Sequence, residues 1–344
     1  MIRSKTTFVI GAGASKDAGF PLGSELKDII QEKLDIRFSR STQVAGDRRL
    51  GRYIMDVANQ DHPKAQAMQD AALMVVRKLP QVASIDTLLS LLENPDAVAL
   101  AKMAIVSTIS NAERSSPLFT EGLRTEASWF KSSSRTWYAE LFKTLHEDVP
   151  RSRLDGIFEN IQIITFNYDR TLEQFLFRAL QNLYDISVAE AGKILNRLDV
   201  IHPYGSIGPL PWADKSGVEF GKTPDLELAP DRILTFSEQI NDRYISARID
   251  GAISEAQKII FLGFGYLEAN LAALSPSKPI EATDISGTAL GLSANDVGAV
   301  ERSLSDWLAE FASGGLPLTN SRVALDNKSN CLEYFLNYGR FIRS

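Results

Sequence analysis

Glycine turns follow two of the apolar runs in this 344-residue sequence. The first turn, residues 11–15, comes directly after the β-branched and aromatic run 7–10, and the second, residues 263–265, comes after the run 258–262. Glycines let a backbone approach a pyrophosphate closely, and the amides that start a following helix attract an anion. Two such turns suit a ligand with two ends, such as a dinucleotide. A tight turn without a ligand is the alternative interpretation of the first one.

A side-chain amide and a carboxylate, Asn167 and Asp169, follow the apolar run 161–165. Alternate residues of an extended chain point to the same side, so we expect the two side chains to leave the strand together. As a pair they are suited to hold a ribose or a carboxamide and to stabilise positive charge that develops at a sugar carbon. Asp169 is alternatively a cap for the helix that follows it.

His202 stands at the end of another apolar run and is one of three histidines in the chain. Its pKa suits proton transfer near neutral pH, so it is a candidate base, with Tyr204 on the same face if the strand continues that far. A purely structural histidine is the alternative. Asp284, which follows the last apolar run, is a candidate partner for a ribose hydroxyl or else a plain turn residue.

The elements that must position these residues are strands of one sheet. The apolar runs 7–10, 161–165, 200–202, 258–262 and 279–283 predict five strands with helices between them. Continuous apolar strands that alternate with helices are typical of a parallel sheet covered on both faces, and ligands bind beyond the carboxyl ends of such strands. The sequence therefore predicts an α/β fold with a doubly wound, mostly parallel, Rossmann-like sheet.

The region 37–150 lacks strand-like runs, and its apolar residues recur at helical spacing. We interpret it as a large helical insertion in a discontinuous domain that comprises 1–36 and 151–290. Residues 291–344 are predicted to form a C-terminal segment of two helices. Within the insertion, the residues before 87 favour a helix cap, with Asp86 a further candidate for the pocket.

Aromatic residues are concentrated near the end of this insertion. They either fill its core or anchor a partner protein, and they are Trp129, Phe130, Trp137 and Tyr138.

The composition excludes several classes of protein. Lys and Arg number 37 against 43 Asp and Glu, a formal charge of −6, which disfavours a nucleic-acid-binding role. Cys331 is the only cysteine, so neither a disulfide nor a four-cysteine zinc site is expected, and the chain suits a reducing cytoplasm. The apolar stretch 97–109 is too short to cross a bilayer and contains Lys102, and residues 1–6 do not resemble a signal peptide.

Taken in order, these segments resemble the sirtuin-like NAD-binding fold. The family's opening pattern is matched by residues 11–15 with 18–21, and its late glycine loop by 263–265. Its Thr-Gln-Asn-x-Asp segment is matched by 165–169 with phenylalanine in place of glutamine, and its His-Gly segment more loosely by 202–206. The resemblance implies that NAD is contacted by Gly11, Ala12, Gly13, Ser15, Asp17, Thr165, Gly205, Gly263, Gly265 and Asp284.

The sequence also departs from the sirtuin deacylases at three points. One cysteine cannot build their four-cysteine zinc module, and Leu-Gly-Ser at 22–24 replaces their Asp-Phe-Arg. Tyr204 stands directly before the glycine of the His-Gly segment, with the histidine two positions earlier. The chain is therefore more similar to the bacterial sirtuin-like effectors of antiphage defence, which hydrolyse NAD and work with a sensor or ATPase.

This resemblance implies an NAD+ hydrolase that cleaves the nicotinamide–ribose bond, with NAD+ as the substrate and no zinc or other cofactor. Asn167 would hold water or the ribose, Asp169 would orient nicotinamide or ribose, and His202 or Tyr204 would accept a proton. A separate sensor or ATPase partner, an oligomer or hetero-complex, and no membrane association are expected. A module that binds NAD or ADP-ribose and signals without chemistry is the alternative.

Overall fold

A computed structural model of the chain describes residues 2–39, 42–120, 126–278, 280–310 and 322–344. Its centre is a parallel sheet of six strands, and a short antiparallel pair lies apart from it. The strands are β1 (Thr6–Ile10), β2 (Arg37–Ser39), β3 (Thr42–Ala45), β4 (Ile161–Thr165), β5 (Asp199–Ile201), β6 (Lys258–Leu262), β7 (Asp284–Thr288) and β8 (Arg322–Asp326).

The large sheet has the order β5-β4-β1-β6-β7-β8. From β1 the chain adds β4 and β5 on one side, then returns past β1 to add β6, β7 and β8 on the other side. This is the strand order of a doubly wound Rossmann sheet, whose ligand crevice lies where the winding direction reverses. The predicted fold class is confirmed.

The three central strands are apolar because both of their faces are covered. Every residue of β1 and β6 is buried. The strands pair in parallel and end level with one another, since Ile10 is opposite both Thr165 of β4 and Leu262 of β6. The three loops that leave these strands therefore start side by side.

Helices cover the sheet and form most of the insertion. They are α1 (Gly23–Leu34), α2 (Arg48–Ala58), α3 (His62–Lys78), α4 (Ile85–Leu91), α5 (Pro95–Ser115), α6 (Glu126–Ser133), α7 (Trp137–His146), α8 (Thr171–Tyr184), α9 (Val188–Leu195), α10 (Ala229–Arg232), α11 (Phe236–Asn241), α12 (Arg243–Ser254), α13 (Glu268–Leu274), α14 (Ala294–Glu310) and α15 (Cys331–Arg343). In the part of the chain that the structure describes, no helix is both long and apolar enough to cross a membrane.

The insertion is packed against the sheet domain. Its longest helix, α5, is buried over most of its length and contacts α1, α3 and α10, while α7 contacts α8 and α15. Lys102 of α5 is itself buried and pairs with the Glu238 carboxylate at 2.9 Å. The division into a core domain, an insertion and a tail at the predicted boundaries remains a prediction.

Three sequence predictions of elements were wrong. The insertion is not wholly helical, because β2 and β3 form a hairpin whose short, largely exposed strands leave no apolar signal. The strand predicted at 279–283 lies instead at β7, directly after it, and Pro279 is outside the described residues. The tail contains β8, which pairs with β7, between its two helices; residues 311–321 lie outside the described residues.

Candidate functional site

A cavity of about 520 Å³ opens beyond the carboxyl ends of β1, β4 and β6. It lies where the winding of the sheet reverses, which is the usual ligand position in this architecture. The cavity brings together most of the predicted site residues. Those that line it are Gly11, Ala12, Gly13, Ser15, Asp17, Asn167, Asp169, Gly263 and Gly265.

The two glycine turns touch each other through their backbones. The amide of Gly13 donates to the carbonyl of Gly263 at 2.9 Å. A Cβ on Gly13 would lie 2.8 Å from the Gly263 Cα, and Gly263 itself has a positive φ of 56°. Glycine is therefore required at both positions by the packing of the turns, whether or not a ligand binds.

Gly265 differs from these glycines. A Cβ added at Gly265 would meet no protein atom within 4 Å, although the residue lines the cavity. The packing of the fold does not require a glycine there, and a side chain at this position would occupy open space at the cavity wall.

A chain of buried hydrogen bonds fixes the first turn to the end of β4. The Asn167 amide nitrogen donates to the Gly11 carbonyl at 3.0 Å and to Ser15 Oγ at 2.9 Å, and Ser15 Oγ donates to Asp169 Oδ2 at 2.7 Å. Asp169 Oδ1 accepts from both the amide and the hydroxyl of Thr171, at 3.0 and 2.6 Å. Since both amide hydrogens of Asn167 are donated, its remaining polar atom is the acceptor Oδ1.

Asp169 thus performs the capping role that the sequence left open, and it also orients Ser15. Burial raises the pKa of its carboxyl, and the hydrogen bonds from Thr171 and Ser15 offset only part of that rise. Its oxygens are occupied by three protein donors, so the structure makes Asp169 a positioning residue. Asp17, on the same turn, has a pKa raised by burial and accepts a hydrogen bond from the Trp137 amide.

Helix α7 of the insertion holds the same turn from the other side. The indole of Trp137 donates to the Ala14 carbonyl at 2.6 Å, and the Tyr138 hydroxyl lies 2.9 Å from Thr171 Oγ1. Trp129, Trp137 and Tyr138 have no exposed surface. These aromatic residues fill the core, so they do not form a surface that a partner could reach.

His202 does not line this cavity. Its Nδ1 lies 3.1 Å from the main-chain carbonyl of Asn167, and its Nε2 lies 3.1 Å from the Glu173 carboxylate. Burial lowers the pKa of the imidazole, but the hydrogen bond to Glu173 and the other contacts raise it by more, so the net pKa lies above the usual 6.5. With both ring nitrogens engaged, His202 supports the backbone behind Asn167, which matches its structural interpretation and disfavours its assignment as the base.

Tyr204 is also set back from the cavity, but it contacts a residue of the wall. Its hydroxyl donates to Asn270 Oδ1 at 2.8 Å, and Asn270 lines the cavity. Burial raises the pKa of the Tyr204 phenol above its ordinary value of 10, so the group is a hydrogen-bond donor rather than a base.

Three further residues that were predicted to contact NAD do not line the cavity. The hydroxyl of Thr165 accepts a hydrogen bond from the main-chain amide of Asn167 at 3.2 Å and so supports the turn after β4. Gly205, with a φ of 74°, forms a bridge to Ile233. Asp284 is the first residue of β7, opposite Lys258 at the start of β6, and is therefore at the wrong end of the sheet to contact a ribose.

The start of α4 supplies a further part of the wall, and the sequence missed only the tyrosine that contacts it. Ser84 caps α4, as predicted, by accepting from the Thr87 amide at 3.1 Å, and the same segment carries Asp86 into the cavity wall. Tyr168 donates to the Asp86 carboxylate, and burial raises the pKa of Asp86. Tyr168 lies between two predicted site residues, so its position in the segment was the one available signal.

Comparisons with known proteins leave the family open. No family model and no curated protein matches the sequence. Among solved structures, the crystal structure of a Sir2 homolog–NAD complex matches with a TM-score of 0.41 and 14% sequence identity, over 99% of this chain and 90% of that one. These values are too low to assign the chain to a family or an activity.

Alanine substitutions at Gly13 and Gly265 should differ in their effect on the free energy of unfolding. Gly13→Ala forces a Cβ against the Gly263 backbone and should lower the free energy of unfolding by about 1–3 kcal/mol. Gly265→Ala should leave it nearly unchanged, since its Cβ meets only open space. Urea unfolding of both variants tests this, and equal losses of stability would contradict it.

The His202–Glu173 contact predicts a stability difference that depends on pH. Because the folded pKa of His202 lies above its unfolded value of 6.5, the stabilisation is fully present below 6.5 and is lost as the pH rises through the folded pKa. The difference in unfolding free energy between wild type and His202→Gln should therefore shrink as the pH rises. His62→Gln, at an exposed position, is the control; a difference independent of pH for His202→Gln would refute the assignment.

Proposed function

We propose that this chain binds NAD+ in the cavity between its two glycine turns and hydrolyses the nicotinamide–ribose bond. One observation carries the proposal: the turns after β1 and β6 contact each other where the winding of the sheet reverses. The side-chain amide of Asn167 is hydrogen-bonded to the first of these turns. Open α/β sheets of this kind bind their nucleotide ligands at that point.

The cavity suits a ligand with two ends and a compact middle. The backbone turns offer the close approach that a pyrophosphate needs. On one side of them the wall continues to Thr288, Leu290 and Asn330, and on the other to Asn167 and Asp86. We assign the adenosine to the first side and the nicotinamide riboside to the second.

The proposed reaction needs no strong acid or base from the protein, because NAD+ already carries a good leaving group. The nicotinamide nitrogen is positively charged in NAD+, so the base leaves as a neutral molecule and its bonding electrons neutralise the ring. The ribose carbon then takes on oxocarbenium character and is attacked by water, which gives ADP-ribose, nicotinamide and a proton. The protein must orient the ribose, stabilise the developing charge and admit one water.

Asn167 is the residue best placed to do this. Its hydrogens are held by Gly11 and Ser15, so Oδ1 has a fixed orientation and can accept a hydrogen bond from the water or from a ribose hydroxyl. His202 is not proposed as the base, because its ring nitrogens contact the Asn167 carbonyl and Glu173 instead. A strong base is not required when the electrophile is an oxocarbenium-like carbon.

A sensor that binds the dinucleotide without cleaving it is the second candidate. It is favoured by the position of His202 outside the cavity and by the raised pKa of Tyr204, which leave both predicted bases unsuited to that role. For the hydrolase, we propose the setting that the sequence resemblance implied: depletion of NAD+ in antiphage defence in the cytoplasm, restrained by a partner sensor or ATPase and by assembly.

Asn167→Ala should lower nicotinamide release by about 10²–10³-fold, the usual cost of removing one preorganised polar group. The test incubates the purified chain with NAD+, with and without candidate partners, and quantifies nicotinamide by chromatography. Asn111→Ala, an exposed position of α5, is the control, and thermal unfolding checks that the Asn167 variant folds. Undiminished turnover in Asn167→Ala would refute its role, and binding without any product would favour the sensor.

Gly265→Val should weaken NAD+ binding by about tenfold or more, because the added side chain fills cavity space, while the unfolding temperature stays close to wild type. Gly298→Val, in α14 outside the cavity, is the control. Calorimetric titration measures both affinities. Unchanged NAD+ affinity in a folded Gly265→Val protein would place the ligand elsewhere.

A further inference from the structure

One end of the cavity is built from aromatic rings. Phe166, Tyr168 and Phe264 all line it. The rings of Phe166 and Phe264 meet edge to face with centroids 5.3 Å apart, and Phe166 contacts Tyr204 in the same manner at 5.5 Å. A group of aromatic rings in a largely buried wall is a favourable environment for a flat ring, and for a cation above all.

A carboxylate stands beside these rings. Asp86 lies in the first turn of α4 and is held by the Tyr168 hydroxyl. Burial raises the pKa of both Tyr168 and Tyr204, and the charge of Asp86 raises it further, so Asp86 lies within electrostatic reach of the two phenols. The aromatic end and the negative charge are therefore one local environment, contributed jointly by the insertion and by the segments after β4 and β6.

The other acidic and basic side chains of the wall have partners of their own. Lys16 pairs with Glu25 at 2.7 Å, so its charge is balanced by a residue outside the cavity. Asp169 accepts from Ser15 and Thr171, and Asp17 accepts from the Trp137 amide. Asp86 differs from these acids because its side-chain partner, Tyr168, belongs to the aromatic end of the cavity.

We propose that Asp86 and the aromatic group of Phe166, Tyr168 and Phe264 bind the cationic pyridinium ring of the oxidised dinucleotide, and that Asp86 determines the preference for NAD+ over NADH. This inference rests on the proposed function, since it specifies the redox form that the same cavity accepts. NADH has the same size, but its dihydropyridine ring is uncharged. A half-buried carboxylate beside the ring attracts the positive charge of NAD+, whereas the neutral ring of NADH gains nothing from it.

The placement of charge also defines which kinetic parameter Asp86 controls. The pyridinium charge is present in bound NAD+ and is lost as the glycosidic bond breaks. An attraction between Asp86 and the ring is therefore strongest before the reaction, so it favours substrate binding and does not accelerate bond cleavage. Asp86 is a specificity-determining residue, and its removal should raise KM without lowering kcat.

The test measures dissociation constants for NAD+ and NADH by calorimetry and by NADH fluorescence. Wild type should bind NAD+ more tightly than NADH. Asp86→Asn, which keeps the shape and removes the charge, should weaken NAD+ binding by about tenfold and change NADH binding by less than about twofold. Asp96→Asn, an exposed acid in the first turn of α5, is the matched control and should change neither constant.

The outcomes separate this inference from the proposed function. Binding that is equally weakened for both redox forms, or unaffected, in Asp86→Asn would overturn the role of Asp86 and leave the NAD+ cavity standing. A wild-type chain that binds neither dinucleotide would overturn both. Tyr168→Phe provides a second variant should Asp86→Asn fail to fold: it retains the carboxylate, so the preference for NAD+ should persist, and its complete loss would contradict the assignment to Asp86.

Discussion

The geometry of the cavity depends on how the turn after β1 is held. Its Gly11 carbonyl and Ser15 hydroxyl are bonded by Asn167 at the end of β4, and its Gly13 amide is bonded by Gly263 at the end of β6. Each of these groups is buried or backbone, and an unpaired polar group there would cost about 1–3 kcal/mol. These hydrogen bonds join the three strand ends into one wall, and Asn167 both holds the first turn and lines the cavity.

The insertion completes this wall. Trp137 of α7 donates to the Ala14 carbonyl, and the start of α4 brings Asp86 to the opposite side. A sheet domain without the insertion would lack both contacts. The segment between β1 and β4 therefore belongs to the cavity, and a movement of α4 would change its wall directly.

Much of the site was predictable because local chemistry determined it. The apolar runs of β1, β4 and β6 indicate buried parallel strands, and Gly11, Gly13 and Asn167 follow from their ends. The strand β8 and the exact position of β7 were missed, since their burial comes from neighbours that are distant in sequence. That shift of about five residues moved Asp284 to the wrong end of the sheet. For His202, the sequence pattern located the end of the strand, but it could not tell whether the imidazole would enter the cavity or contact the Asn167 carbonyl outside it.

A crystal structure of the chain with NAD+ would test the central claim most directly. We expect the pyrophosphate between the turns 11–15 and 263–265, with the nicotinamide ring beside Asp86 and the adenosine towards Asn330. Electron density for the dinucleotide at any other place on the molecule, with this cavity empty at saturating NAD+, would contradict it.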